Sequence, residues 1–309
     1  MAKILTLTLN PALDLTVPLA HLEVGQVNRS QALHVHAAGK GVNVAQVLAD
    51  LGHRLTVSGF LGAGNPQAFD ELFARRGFVD AFVRVPGETR SNIKLAEADG
   101  RVTDVNGPGP RVDAVAQQAL LARLEQIAPG HDAVVVAGSL PQGVSPQWFQ
   151  ALLLRLKAMG LKLALDTSGA ALRAGLAAGP WLVKPNGEEL ADALGRPADQ
   201  AAAARQLQAQ GVEHVVVSHG ADGVHWFATG QALQALPPKV AVVSTVGAGD
   251  SLLAGVLHGL LVGQDAAQAL RTATAIAAMA VTQIGFGIGD RAQLARLEQG
   301  VRVQPLAEQ

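Results

Sequence analysis

The 309-residue chain contains no cysteine. That absence excludes disulfides, thiolate metal sites and cysteine nucleophiles, and it sets the expectation of a reducing, cytoplasmic compartment. An excess of charge of either sign is also missing. Lys and Arg number 24 against 25 Asp and Glu, a formal net charge of −1. No overall field therefore draws in nucleic acid or an anionic membrane, and neither is an expected partner. An anionic small ligand needs locally placed cations instead. The amino terminus, MAKILTLTLNPALD, reads as a strand followed by polar residues, without the apolar stretch of a signal peptide or membrane span. Long polar tracts are lacking too, and 49% of the residues are hydrophobic, enough for a large core.

What is present is alternation. The β-type runs KILTLTL, DAVVVAGS, LKLALD, PWLVKP and EHVVVSHG are separated by helix-length intervals. Helices are expected over GVNVAQVLADLG, closed by Gly52, and over SPQWFQALLLRLKAMG, opened by Ser145-Pro146 and closed by Gly160. Ala-rich ADQAAAARQLQAQ reads as a further helix. Runs as continuously apolar as AVVVAG and HVVVS suit parallel strands covered on both faces. The pattern predicts a three-layer α/β/α fold, with ligands beyond the carboxyl ends of the strands. Residues 10–36 and 87–109 break the alternation, and SNIKLAEADGRVTDV is a hairpin candidate around Asp99-Gly100. These two segments predict a small β-sheet lid, with residues 1–9, 37–86 and 110–309 forming the core.

Residues just past the strand ends carry the chemistry. In STVGAGDSLLAG, Asp250 lies near the first turn of an apolar helix, and Gly247, Ala248 and Gly249 precede it. Two readings stay open: an Asp that caps a helix after a glycine turn, or an anion site with a base beside it. HAAGKGVNVA places Lys40 between Gly39 and Gly41, with Asn43 one turn on. It is either a tight turn with an exposed lysine or a close backbone approach to an anionic ligand. LVKPNGEEL ends a strand with Lys184, Asn186 and Glu189, which suit phosphate charge and hydrated Mg²⁺, but equally a turn and an acidic first helical turn. VVVAGSLPQG leaves Ser139 past a strand end without the elbow of a hydrolase, so a ligand contact fits better than a nucleophile. His34 and His36 share a face of an extended segment, and packing or solvation explains them better than metal binding. No segment is a Walker A loop or a dinucleotide fingerprint.

The order of these motifs resembles the ribokinase-like, PfkB-type family of sugar kinases from end to end. The residues that carry the resemblance include TLTLNPALDLTV, HAAGKGVNVA, TRSNIKL, VAGSLPQGV, LVKPNGEEL, VGAGDSLLAG and AVTQIGFGIGD. HAAGKGVNVA and TRSNIKL point to the sugar-phosphate kinases within it. The resemblance implies a Rossmann-like core with a β-sheet lid that also forms a homodimer interface. It implies ATP as co-substrate, Mg²⁺, and transfer to the C6 hydroxyl of fructose 1-phosphate, with tagatose 6-phosphate or fructose 6-phosphate as alternative acceptors. A non-catalytic sugar-phosphate sensor is the reading from a different class, against which intact Asp250, Asn186 and Glu189 argue.

Carried over residue by residue, the resemblance makes Asp250 the base and the amides of Gly247, Ala248 and Gly249 the anion hole. Asp14, Gly39, Asn43 and Ser139 would hold the sugar, with Lys40 and Arg90 on its phosphate. Asn186 and Glu189 would order Mg²⁺ through water, and Lys184, Ser218, Gly220 and Gly223 would belong to the ATP side. Two departures stand out. His219 replaces the leucine usual after Ser218, and Ser244 stands where ribokinases carry an acidic residue near a monovalent-cation site, which leaves potassium dependence open.

Overall fold

A computed structural model describes residues 1–195 and 199–306. The chain runs β1 (Lys3–Thr8), β2 (Ala12–Leu19), β3 (His34–Ala38), α1 (Lys40–Asp50), β4 (Arg54–Gly62) and α2 (Gln67–Arg76). It continues through β5 (Val79–Asp80), β6 (Val83–Val85), β7 (Arg90–Glu97), β8 (Val102–Asn106), α3 (Ala114–Ile127), β9 (Ala133–Ala137) and α4 (Pro146–Ala158). Next come β10 (Lys162–Asp166), α5 (Gly169–Ala177), β11 (Leu182–Val183), α6 (Gly187–Leu194), α7 (Gln200–Ala209) and β12 (His214–Ser218). The remainder is β13 (Val224–Ala228), β14 (Gln231–Leu236), α8 (Ala248–Val262), α9 (Ala266–Ala280), α10 (Arg291–Gly300) and β15 (Arg302–Pro305). Ala198, the first residue of the Ala-rich helical run, lies outside the described residues.

The main sheet has the order β15-β14-β13-β12-β11-β10-β9-β1-β4-β5, with β6 also on β4. From β12 to β5 its pairs are parallel, whereas β12–β13, β13–β14 and β14–β15 are antiparallel. Strand order turns back at β1, which has β4 on one side and β9 on the other, a switch point of the kind that opens a ligand crevice. The apolar runs are buried on both faces. Along β9, Ala133, Val135 and Ala137 enter one core, with Val134 and Val136 in the other. Helices α1, α8 and α9 cover the first face; α3, α4, α5 and α7 cover the second. Gly255 and Gly259 let α8 lie close on α9, since a Cβ at either would stand 2.5 or 2.4 Å from Ala273 or Ala269.

A separate four-stranded sheet has the order β3-β2-β7-β8. Strands β7 and β8 form an antiparallel hairpin whose turn holds Asp99 and Gly100. Pairing across this sheet aligns Val35, Leu15, Ile93 and Val105 in one row. The adjacent row is His36, Asp14, Asn92 and Asn106. Because strand side chains alternate in direction, one face is apolar and the other polar. Asp14 and Asn92, on the polar face, line the cleft beyond the main sheet.

Candidate active site

That cleft, of about 360 Å³, lies over the carboxyl ends of β10, β11 and β12. The sequence forces several backbones together there. Gly39 has φ +132°, and a Cβ on it would stand 2.8 Å from Thr8 and 3.0 Å from Pro11. Gly247 has φ +81°, and a Cβ would meet the Phe286 ring at 2.6 Å. Both positions therefore exclude a side chain.

Gly247 is the residue before α8, and Asp250 is the third residue inside the helix. No side chain caps this helix end. The capping reading of Asp250 is thus corrected: the turn is closed by glycine backbone, and the carboxylate is left for another partner. That partner is Asn43, whose Nδ2 donates to Asp250 Oδ2 at 2.8 Å from the buried face of α1. A helix leaves its first N–H groups without intrahelical partners. Here Ser251 N–H reaches Gly247 O at 2.8 Å, and Ala248 N–H leans towards Thr245 O at 3.4 Å. Burial, and then the Asp166 carboxylate, push the Asp250 carboxyl up to about 6, against the pull of Lys40, the Asn43 hydrogen bond and Lys184.

Asp166, which the sequence reading passed over, ends β10 and is almost wholly buried. Lys40 Nζ donates to its Oδ1 at 3.0 Å, and Lys184 Nζ lies 3.3 Å from its Oδ2. Burial raises its pKa, but Lys184 and Lys40 outweigh that and hold the carboxyl below its ordinary value. Burial likewise lowers the Lys40 pKa, while Asp166 and Asp250 more than reverse it, so the ammonium stays charged. The single carboxylate ties a lysine from the Gly-Lys-Gly turn to one from the strand end at β11. The sign that could have found it was present: LKLALD ends a predicted strand in a carboxylate, at the place where ligands sit.

The other expected residues divide. Asp14 accepts from Asn92 Nδ2 at 3.1 Å and from Lys94 Nζ at 3.4 Å, so two β7 residues of the small sheet steady it. The Arg90 guanidinium reaches Asn10 O at 3.2 Å and Pro11 O at 3.4 Å, and burial lowers its pKa against the pull of Asp14. Asn186 and Glu189 make a reciprocal capping box, so the local turn reading holds; both also line the cleft. Ser218 shares the cleft with them, and the groove continues outward as a second hollow of about 410 Å³ lined by Asn186, Gly187, Glu188, Ser218, His219 and Gly220.

Three expected residues, Ala248, Ser139 and Gly223, lie outside these linings. Ser139 Oγ accepts a hydrogen bond from Asn10 Nδ2 at 3.1 Å, and Arg90 reaches the carbonyl oxygen of the same Asn10. Gly223 serves packing instead: its φ is +103°, and a Cβ would stand 2.2 Å from Ala235 O. Asn92, like Asp166, lines the cleft without having been singled out from the sequence.

Known proteins resemble this chain in sequence and in fold. The pfkB family carbohydrate kinase profile matches residues 7–292. A 1-phosphofructokinase of Vibrio cholerae is 48% identical over 98% of this chain and 97% of its own length. Phosphofructokinase-2 of Escherichia coli, solved with potassium, superposes with a TM-score of 0.89 at 28% identity, covering 97% of this chain and 99% of that one. A ribokinase of Thermotoga maritima, at 19% identity, superposes with a TM-score of 0.79 over 97% and 100% of the two chains. The last likeness identifies the fold as ribokinase-like. Sequence, fold and cleft agree that the chain belongs to the pfkB family of carbohydrate kinases, phosphotransferases that use ATP.

Proposed function

We propose that the chain transfers the γ-phosphoryl group of ATP, with Mg²⁺, to the C6 hydroxyl of fructose 1-phosphate, giving fructose 1,6-bisphosphate. The observation that carries this reading is Asp250: a buried carboxyl with a raised pKa, at the amino end of a helix that opens into a cleft between two lysines. The C6 oxygen forms the new bond to phosphorus as the bond to the ADP oxygen breaks, and the hydroxyl proton passes to the Asp250 carboxylate. Asn43 holds that carboxylate in place. The amide groups at the start of α8 and the Lys184 ammonium stabilise charge on the moving phosphoryl group. Asp14 takes a sugar hydroxyl, and Arg90 and Lys40 meet the existing phosphate.

Mg²⁺ fits the donors present. The cleft holds three cations, Lys40, Arg90 and Lys184, against four carboxylates, Asp14, Asp166, Glu189 and Asp250. Two anionic reactants therefore need more positive charge than the side chains provide. No cluster of three or more His, Cys, Asp or Glu suited to a metal occurs among the described residues, which suits an ion that keeps its waters and leans on phosphates. Asn186 and Glu189 would hold it through water, and it would neutralise phosphate charge.

A coupled kinase assay across fructose 1-phosphate, fructose 6-phosphate and tagatose 6-phosphate tests the reading. The highest kcat/KM is expected with fructose 1-phosphate. A preference for fructose 6-phosphate would favour the second reading, which the likeness to phosphofructokinase-2 supports. The apolar outer row of the lid sheet suits a second copy of this chain, so a homodimer through that sheet belongs to the same proposal. For the phosphofructokinase-2 of E. coli, a tetrameric inhibited form is described.

A further inference from the structure

His219 lines the outer hollow, and the surroundings of that ring fix its chemistry. Gln200, the first residue of α7, brings one amide oxygen to two imidazoles: His219 Nε2 at 3.2 Å and His225 Nδ1 at 2.9 Å. One carbonyl oxygen accepts from both only if both nitrogens carry hydrogen. The two rings lie 4.6 Å apart, and burial lowers both pKa values. Close, partly buried and lowered, both rings are neutral at neutral pH. His219 is then the Nε2–H tautomer, and its Nδ1 is a bare acceptor. Nδ1 and Cε1 are the His219 ring atoms nearest Gly187, 3.7 and 3.6 Å from where a Cβ would stand, beside Gln200 Nε2 at 3.6 Å. Gly187 and His219 line the same hollow, which joins the transfer cleft through Asn186 and Ser218.

A neutral acceptor repels phosphate oxygens, which have only lone pairs to offer. It attracts a donor. In a nucleoside triphosphate the donors are the ribose hydroxyls and the N–H groups of the base. We propose that His219 is a specificity residue for the phosphoryl donor, accepting at Nδ1 a hydrogen bond from an O–H or N–H of its nucleoside, and that Gln200 is the positioning residue that fixes the tautomer. This rests on the ATP-dependent reading above and adds to it the side of the nucleotide that the groove recognises.

Titration calorimetry with ADP and steady-state kinetics with ATP, 2′-deoxy-ATP, 3′-deoxy-ATP and ITP test it, on wild type, His219→Leu, His219→Asn and Gln200→Leu. His219→Leu is expected to weaken ADP binding and raise the ATP KM by about 5-fold, the worth of one hydrogen bond. The kcat and the sugar KM should stay within about 2-fold on the same reasoning. His219→Asn, which keeps an acceptor, should recover most of the loss, and Gln200→Leu should show a smaller rise in KM. One analogue should bind wild type as weakly as it binds His219→Leu: a deoxy analogue if the donor is a ribose hydroxyl, ITP if it is the 6-amino group. Unchanged ADP affinity in His219→Leu, or an equal loss for every analogue, overturns the proposal. Because ADP binding needs no turnover, a wild type that binds ADP through His219 but phosphorylates none of the three sugar phosphates would overturn the kinase reading alone.

Discussion

Asp250 pits catalysis against stability within one side chain. Its carboxyl is pushed up to about 6 in the folded protein, above the ordinary carboxylate value. The folded state therefore holds its proton more tightly than the unfolded chain does. On this account stability is greatest below the unfolded pKa and is lost as pH rises through about 6. Asp250→Asn should raise the melting temperature at pH 8, by the equivalent of about 2–3 kcal/mol for roughly two pKa units. The gain should shrink towards pH 4, as melts across the range would reveal. The same substitution should lower kcat by about 10²–10⁴-fold, the usual worth of a general base, with ADP binding retained. In the wild type, kcat/KM should fall on the acid side of about pH 6. A flat profile from pH 8 to 5 would remove Asp250 from that role. Asp166 shows where sequence reading stops at this scale. A strand-end carboxylate was visible, but its lysines lie 126 residues before it and 18 after it, and only the folded sheet brings them together.

At the scale of elements, the strand-end rule and the cap residues were legible because they are local. Ser145 caps α4 with Pro146 at its first position, and Gly160, φ +81°, follows its end. At the antiparallel edge, VVVSHGADGVHW reads as strand, turn and strand, but β14 was not legible: QALQAL alternates small, apolar and amide side chains too weakly to announce a strand, and it packs on α9 between β13 and β15. Helix α8 carries two tests. Gly247→Ala must place a Cβ at positive φ and against Phe286, so it should destabilise by more than about 1 kcal/mol and abolish turnover, as melts and assays would show. Further along, His258 on α8 meets His53 beyond α1. His53 Nδ1 accepts Ala2 N–H at 3.2 Å, so its Nε2–H donates to His258 Nδ1 at 2.9 Å. Burial, then His258 and the terminal amine, lower the His53 pKa to about 4. The unfolded chain thus takes up protons first as pH falls below about 6.5, and stability drops from there to about 4. His53→Gln should flatten the fall in melting temperature between pH 7 and 5; an unchanged slope would place the acid sensitivity elsewhere.

The whole molecule combines two sheets with different tasks. The alternating βα pattern of the core could be read from periodicity, and so could the break in it at residues 10–36 and 87–109. What periodicity does not give is registry between segments far apart in sequence: β2 pairs with β7 across about seventy residues, in parallel. That registry sets an apolar row of Val35, Leu15, Ile93 and Val105 against a polar row that reaches the cleft. Light scattering should report a dimer for the wild type and a monomer for Ile93→Glu or Val105→Glu. A monomeric wild type, or a variant still dimeric, would move the interface away from this sheet.

The two-faced sheet also has a consequence for how such chains can vary in length. Inserting or deleting one residue inside β2 or β7 would turn every later side chain of that strand over, sending Asp14 or Asn92 outward and an apolar neighbour into the cleft. No single substitution repairs that exchange. Natural insertions and deletions in this region should therefore collect in the connection between β2 and β3, residues 20–33, and in the turn between β7 and β8. The strands themselves should keep their length even where their sequences drift.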